Sequence, residues 1–199
     1  MALFLLALIL TLRAATYADD ELAATEAPQQ KILKIAQDIH KAIVTLPQYG
    51  VFDSITYGIK GSTVILSGEA SRPILKSSAA KIEGVSEVQN DIEVLPLSPN
   101  DDRIRAGVYA AIYRYPPLQK YTNNRGPRTG PSVARMAGGI TNDPPIGWHA
   151  IHILVKNGNV TLNGVVDSDV DLALAEMRAN SVFDVFTVQN DIEVATKGK

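Results

Sequence analysis

The chain contains no cysteine, which excludes disulfides, thiolate metal sites, a cysteine nucleophile and a cysteine-borne N-terminal lipid anchor. Histidine is scarce, limited to His40, His149 and His152. His149 and His152 lie three apart in an extended run, which points them to opposite strand faces, so a shared metal is not expected. No run of apolar residues reaches spanning length. The most apolar one, Ala2 to Leu12, has eleven residues and at about 1.5 Å each falls short of a roughly 30 Å hydrocarbon core. Charge of either sign is not in excess: the net value of -2 and a pI near 5.9 give no global pull toward nucleic acid.

Catalytic patterns are also missing. Glycines near Gly126 to Gly139 are not followed by the Gly-Lys-Ser/Thr ending of a phosphate-binding loop. Asp167-x-Asp169-x-Asp171 begins like a calcium loop, but Leu172 stands where glycine is needed and Arg178 where a bidentate acid is needed. Acids at a helix N-terminus are the better reading. No serine or threonine is paired with a histidine and an acid. No catalytic residue, metal site or cofactor is therefore expected, and a non-enzymatic role follows.

What is present begins with the leader. Ala2 to Leu12 suits the apolar core of a signal peptide, with Thr16 and Ala18 as the small residues of a cleavage site, although no basic residue precedes the run. Residues 1–18 are read as a signal peptide and 19–28 as a flexible Ala, Glu and Pro-containing tether. The alternatives are a retained anchor or a buried N-terminal helix. Export to a periplasm is the expectation.

The rest of the chain repeats itself. VQNDIEV occurs at Val88 to Val94 and again at Val188 to Val194. Upstream, Ile55 to Gly68 matches Ile151 to Gly164, and Ile35, Ile39 and Ile43 match Ile104, Val108 and Ile112. Each copy reads helix, strand, strand, helix, strand. The first helices carry apolar residues at helical spacing, and Leu-Pro or Tyr-Pro stops them. The paired strands are joined by Gly61-Ser62 or by Asn157-Gly158, a strong two-residue hairpin signal. Ser71-Arg72-Pro73 and Asp167-Ser168-Asp169 open the second helices. VQNDIEV closes each unit as a strand with Val, Asn, Ile and Val on one face and Gln, Asp and Glu on the other. The fold class is thus α+β: two tandem α-β-β-α-β units, each a three-stranded mixed sheet on two helices. Residues 29–98 form the first and 99–196 the second, with a Gly/Pro-rich insertion at about 122–148.

These motifs carry a resemblance. The V-x-L-x-G hairpin (Val64, Leu66, Gly68; Val160, Leu162, Gly164) and the closing strand (Gly84, Val85, Val88, Asn90, Ile92, Val94; Val185, Val188, Asn190, Ile192, Val194) resemble the BON domain. Two such units behind a leader are similar to osmotically inducible periplasmic proteins. That resemblance implies a periplasmic protein that binds anionic phospholipid surfaces and supports envelope integrity under stress. The sequence departs from the pattern where Asp184 stands in place of a glycine, in a second helix one turn shorter in copy one, and in the insertion.

Charge is unevenly placed along the second unit. From Arg103 to Asn142 there is no acid, whereas Asp167 to Glu193 holds seven acids against Arg178 alone. On a helical wheel Arg105, Tyr109 and Tyr113 form a stripe suited to a headgroup layer. With Arg103, Arg114, Lys120, Arg125 and Arg128 they are the expected lipid-binding residues, each cation contributing on the order of 1 kcal/mol near an anionic surface. In the competing reading the tyrosines pack inward and the arginines are merely solvated. The insertion places Arg125, Arg128 and Arg135 next to the basic helix, with Met136, Ile140 and Trp148 as candidates to wedge into an interface or to cover the sheet. In a different role, that of an adaptor or holdase, the insertion docks a partner chain such as an envelope protein and the basic face is incidental. Nucleic acid is not an expected partner.

Overall fold

The computed structural model describes residues 30–46, 49–72, 82–123 and 139–196. The leader, the tether, the second helix of the first unit, Arg125, Arg128, Arg135 and Met136 lie outside the described residues. In chain order the elements are α1 (30–44), β1 (Ser54–Lys60), β2 (Thr63–Ala70), β3 (Glu87–Val94), α2 (Pro99–Tyr113), a 3-10 helix (Pro116–Tyr121), α3 (139–142), β4 (Ile151–Lys156), β5 (Asn159–Val166), α4 (Asp169–Asn180) and β6 (Thr187–Val194).

The molecule holds two three-stranded mixed sheets with helices, in two similar units. In each, a hairpin gives an antiparallel pair and the last strand returns parallel to the central one, giving orders β1-β2-β3 and β4-β5-β6. The registers coincide residue for residue: Gly68 pairs with Ile55 and Ile92, and Gly164 with Ile151 and Ile192. The crossover runs from Ala70 to Glu87 in one unit and from Val166 to Thr187 in the other, a difference of four residues. That is close to one helical turn, so the returning strand keeps its face.

The motif residues have local causes. Asn157 (φ 53°) and Gly158 (φ 79°) form the left-handed pair a two-residue hairpin requires. Gly164 has φ +137°, and a Cβ there would sit 1.9 Å from the Ala150 carbonyl oxygen; Gly68 meets Ser54 in the same way. The glycine of V-x-L-x-G is thus set by close backbone approach. VQNDIEV alternates with Gln, Asp and Glu exposed and Ile192 buried, but at the end of β3 Val94, expected on the inward face, is exposed. Asn190 also ties β6 to α4, donating to the Leu172 carbonyl at 3.4 Å and to Glu176 at 3.1 Å. Asp184, at the glycine position, adopts φ 68° and takes the same left-handed turn as Gly84.

The two cores differ in size. The described core of the first unit is Ile35, Ile39, Ile43, Val64 and Leu66, the periodic positions of α1 against the central strand. The second core is larger and takes in Val51 and Phe52, which precede β1 in sequence. Ile153 N–H donates to the Val51 carbonyl at 2.8 Å, and the Phe52 ring meets Tyr109 edge-on at 6.4 Å. Asp53 anchors this loop, accepting from Gly50 N–H at 2.8 Å and from Ser71 N–H and Oγ at 2.7 and 2.8 Å. The first unit therefore supplies part of the second unit's core.

Candidate functional site

The predicted lipid-facing stripe on α2 is not a surface. Arg105, Tyr109 and Tyr113 are buried, at 2%, 5% and 6% exposure. Arg105 donates to Asp102 at 2.8 Å, to Thr141 at 3.4 Å and to the Val155 carbonyl at 2.7 Å, leaving its buried Nε without a hydrogen-bond partner. Tyr109 shares a hydrogen bond with His149 at 3.2 Å, and Tyr113 donates to the Ile151 carbonyl at 2.5 Å. Burial pushes the Tyr113 phenol well above its usual range. The physical reason is that α2 is covered on several sides. Ile104, Val108 and Ile112 belong to the core, Val182 from the turn after α4 packs on Gly107, and the stripe meets Phe52 and the end of the insertion. Arg105 and the tyrosines are polar ends on a buried helix face.

The other expected cations are scattered. Arg103 is exposed and lies 3.8 Å from Asp184, while donating to Asn100 at 2.6 Å. Arg114 is exposed at the end of α2. Lys120 sits 2.9 Å from both Asp167 and Asp171 and over the Tyr121 ring, and the carboxylates raise its pKa. Its charge is neutralised in place. Arg103 and Lys120 thus each face acids, not open solvent alone. From the insertion, Ile140 is buried in the core and Trp148 is exposed.

A site that the wheel did not show lies in the turn between α4 and β6. Ser98 caps α2 and Ser168 caps α4, each accepting an N–H bond three residues on. Beyond the end of α4, Val182 packs against Gly107 and Val185 against the core, which turns the residue that follows each of them outward. Phe183 and Phe186 consequently stand 86% and 75% exposed. The turn is held rather than loose. Phe186 N–H donates to the Gly158 carbonyl at 2.9 Å, Val185 N–H to Val182 at 3.4 Å, and the Phe186 ring lies on Gly158. Arg103 stands beside them at Asp184. Fixed on VQNDIEV, the two copies place Glu83 and Ser86 where these phenylalanines stand. That exchange was readable in the sequence and marks the turn as specific to the second unit.

This is an α+β protein of paired sheet-and-helix units with an aromatic turn on its second unit. The BON domain family matches residues 139–196, that is, the second unit from α3 to the end of β6. No curated protein matches the sequence. Among solved structures, CdsD, a structural protein of the type III secretion system of Chlamydia trachomatis, is similar at 12% identity. The match covers 81% of this chain and 92% of that one, with a TM-score of 0.24. The C-terminal domain of CdsD matches at 12% identity over 80% of this chain and 96% of its own, with a TM-score of 0.23. Likeness at those scores carries no argument about this chain.

Proposed function

We propose that the protein is a non-enzymatic envelope protein of the periplasm, that both units are BON domains, and that the second attaches to anionic phospholipid surfaces. Support for the family reading comes from the match to the second unit and the shared strand register of the first. The observation that carries the attachment is the pair of pinned, exposed rings, Phe183 and Phe186, with Arg103 next to them. A ring that leaves water wholly gains about 1.5–3 kcal/mol, so two inserted rings outweigh one guanidinium–phosphate contact. Attachment is therefore driven by the rings and oriented by charge, not by a basic patch. A role in envelope integrity under stress extends the same reading. The adaptor role rests on the insertion, most of which lies outside the described residues.

Flotation of the full chain with phosphatidylglycerol-containing vesicles, against phosphatidylcholine, tests this. Recruitment is expected on anionic vesicles and is expected to survive moderate salt. Phe183→Glu with Phe186→Ser, the residues of copy one, should abolish it, whereas Arg105→Met should not. Absence of recruitment at low salt, or recruitment undiminished in the double variant, defeats the proposal.

A further inference from the structure

The fold gathers residues that are far apart in sequence. His40 on α1, Tyr49 in the loop after it, and Lys120, Trp148, His149 and His152 of the second unit line one open cleft of about 810 Å³ between the units. All three histidines and the single tryptophan of the chain are among them. A space of this size lies within the range of small-ligand sites.

Its walls are built. Trp148 is 56% exposed, yet its backbone is fixed: its N–H donates to Asn123 Oδ1 at 2.7 Å, its carbonyl accepts from Asn123 N–H at 3.2 Å, and Thr122 and His149 form a β-bridge. Tyr49 and His152 meet with ring centroids 5.4 Å apart and planes tilted by 40° across the two units. His152 Nδ1 faces the Gly50 carbonyl at 3.2 Å and His149 Nδ1 the Gly147 carbonyl at 3.0 Å. Carbonyls only accept, so both histidines carry the Nδ1 proton in their neutral form. The Tyr49 hydroxyl lies 3.5 Å from His152 Nε2, a long contact that leaves hydrogen-bonding capacity toward the cleft.

The charge balance selects the ligand. Burial lowers the pKa of both His149 and His152, and Lys120 is locked between Asp167 and Asp171. With Lys120 held between Asp167 and Asp171, an anionic headgroup finds no free lysine in the cleft, and the Tyr121 face that an organic cation would take is already covered by Lys120. What remains is an uncharged molecule with flat C–H faces for the rings and hydroxyls for phenol and imidazole. We propose that the cleft between the units binds an uncharged saccharide, stacked on Trp148 and hydrogen-bonded at Tyr49 and His40. This site is separate from the aromatic turn and stands whether or not the protein binds lipid.

The test titrates the full chain with the neutral tetramer of N-acetylglucosamine, reading the single tryptophan by fluorescence and the heat by calorimetry. A saturable fluorescence change is expected, with calorimetric affinity reduced about tenfold or more in Trp148→Ala and in Tyr49→Ala. Circular dichroism checks that both variants fold. The proposal is overturned if no saturation appears up to about 10 mM. It is likewise overturned if both folded variants bind undiminished, or if choline or inorganic phosphate, not the tetramer, produces the saturable signal.

Discussion

Removing the Phe52 ring tests whether the two units fold as one body. Phe52 is 1% exposed and belongs to the second unit's core although it precedes β1 of the first. Its ring contacts Tyr109 of α2, and its neighbour Val51 accepts the Ile153 N–H. Truncating a buried phenylalanine to alanine costs about 3–5 kcal/mol, the transfer of the ring plus the cavity it leaves. With a urea slope of about 2 kcal/mol/M, the midpoint should fall by roughly 1.5–2.5 M. The assay is urea unfolding of Phe52→Ala followed by Trp148 fluorescence, which reports on the second unit, alongside far-ultraviolet circular dichroism. Phe52→Leu should lose much less, since most of the volume is refilled. A Trp148 transition within about 0.5 M of the parent would refute the reasoning, because the ring would then contribute no more than about 1 kcal/mol to the second core.

Acid should weaken the fold. Burial pushes His149 from 6.5 to about 4 and lowers His152 as well, so both stay neutral in the fold and take up protons on unfolding. Their cost is absent above the unfolded value and grows as pH falls to the folded one. For His149 this loss reaches about 3 kcal/mol near pH 4. Burial raises Asp53, which offsets part of it only at the acid end. The urea midpoint should drop between about pH 7.5 and 4.5, and His149→Gln should flatten the profile; a level profile in the parent refutes the assignment. Gly164→Ala should cost about 3 kcal/mol, from left-handed strain and contact with the Ala150 carbonyl. Gly58→Ala, where a Cβ meets nothing within 4 Å, should cost little; equal thermal midpoints for the two variants would disprove the close-approach account.

The α2 stripe shows where reading the chain alone stopped. Helical spacing correctly put Ile104, Val108 and Ile112 inside. Spacing cannot tell how many sides of a helix are covered, and Arg105, Tyr109 and Tyr113 are covered by Phe52, α3 and the segment at His149, distant in sequence. The histidines make the same point. Alternation assigned His149 and His152 to opposite faces of one strand, but β4 begins at Ile151 and His149 sits in a separate bridge with Thr122, so both reach one cleft. Phe183 and Phe186 were within reach, because the VQNDIEV register sets them against Glu83 and Ser86.

Local periodicity, turn chemistry and an internal repeat determined the strands, their order and the glycines of each hairpin, because these depend on residues near in sequence. Only the tertiary structure decided which polar residues were buried, that the first unit completes the second unit's core, and that three histidines and a tryptophan share one cleft. Those outcomes depend on contacts between segments more than 100 residues apart, such as Gly50 with His152, for which a single chain carries no local signal.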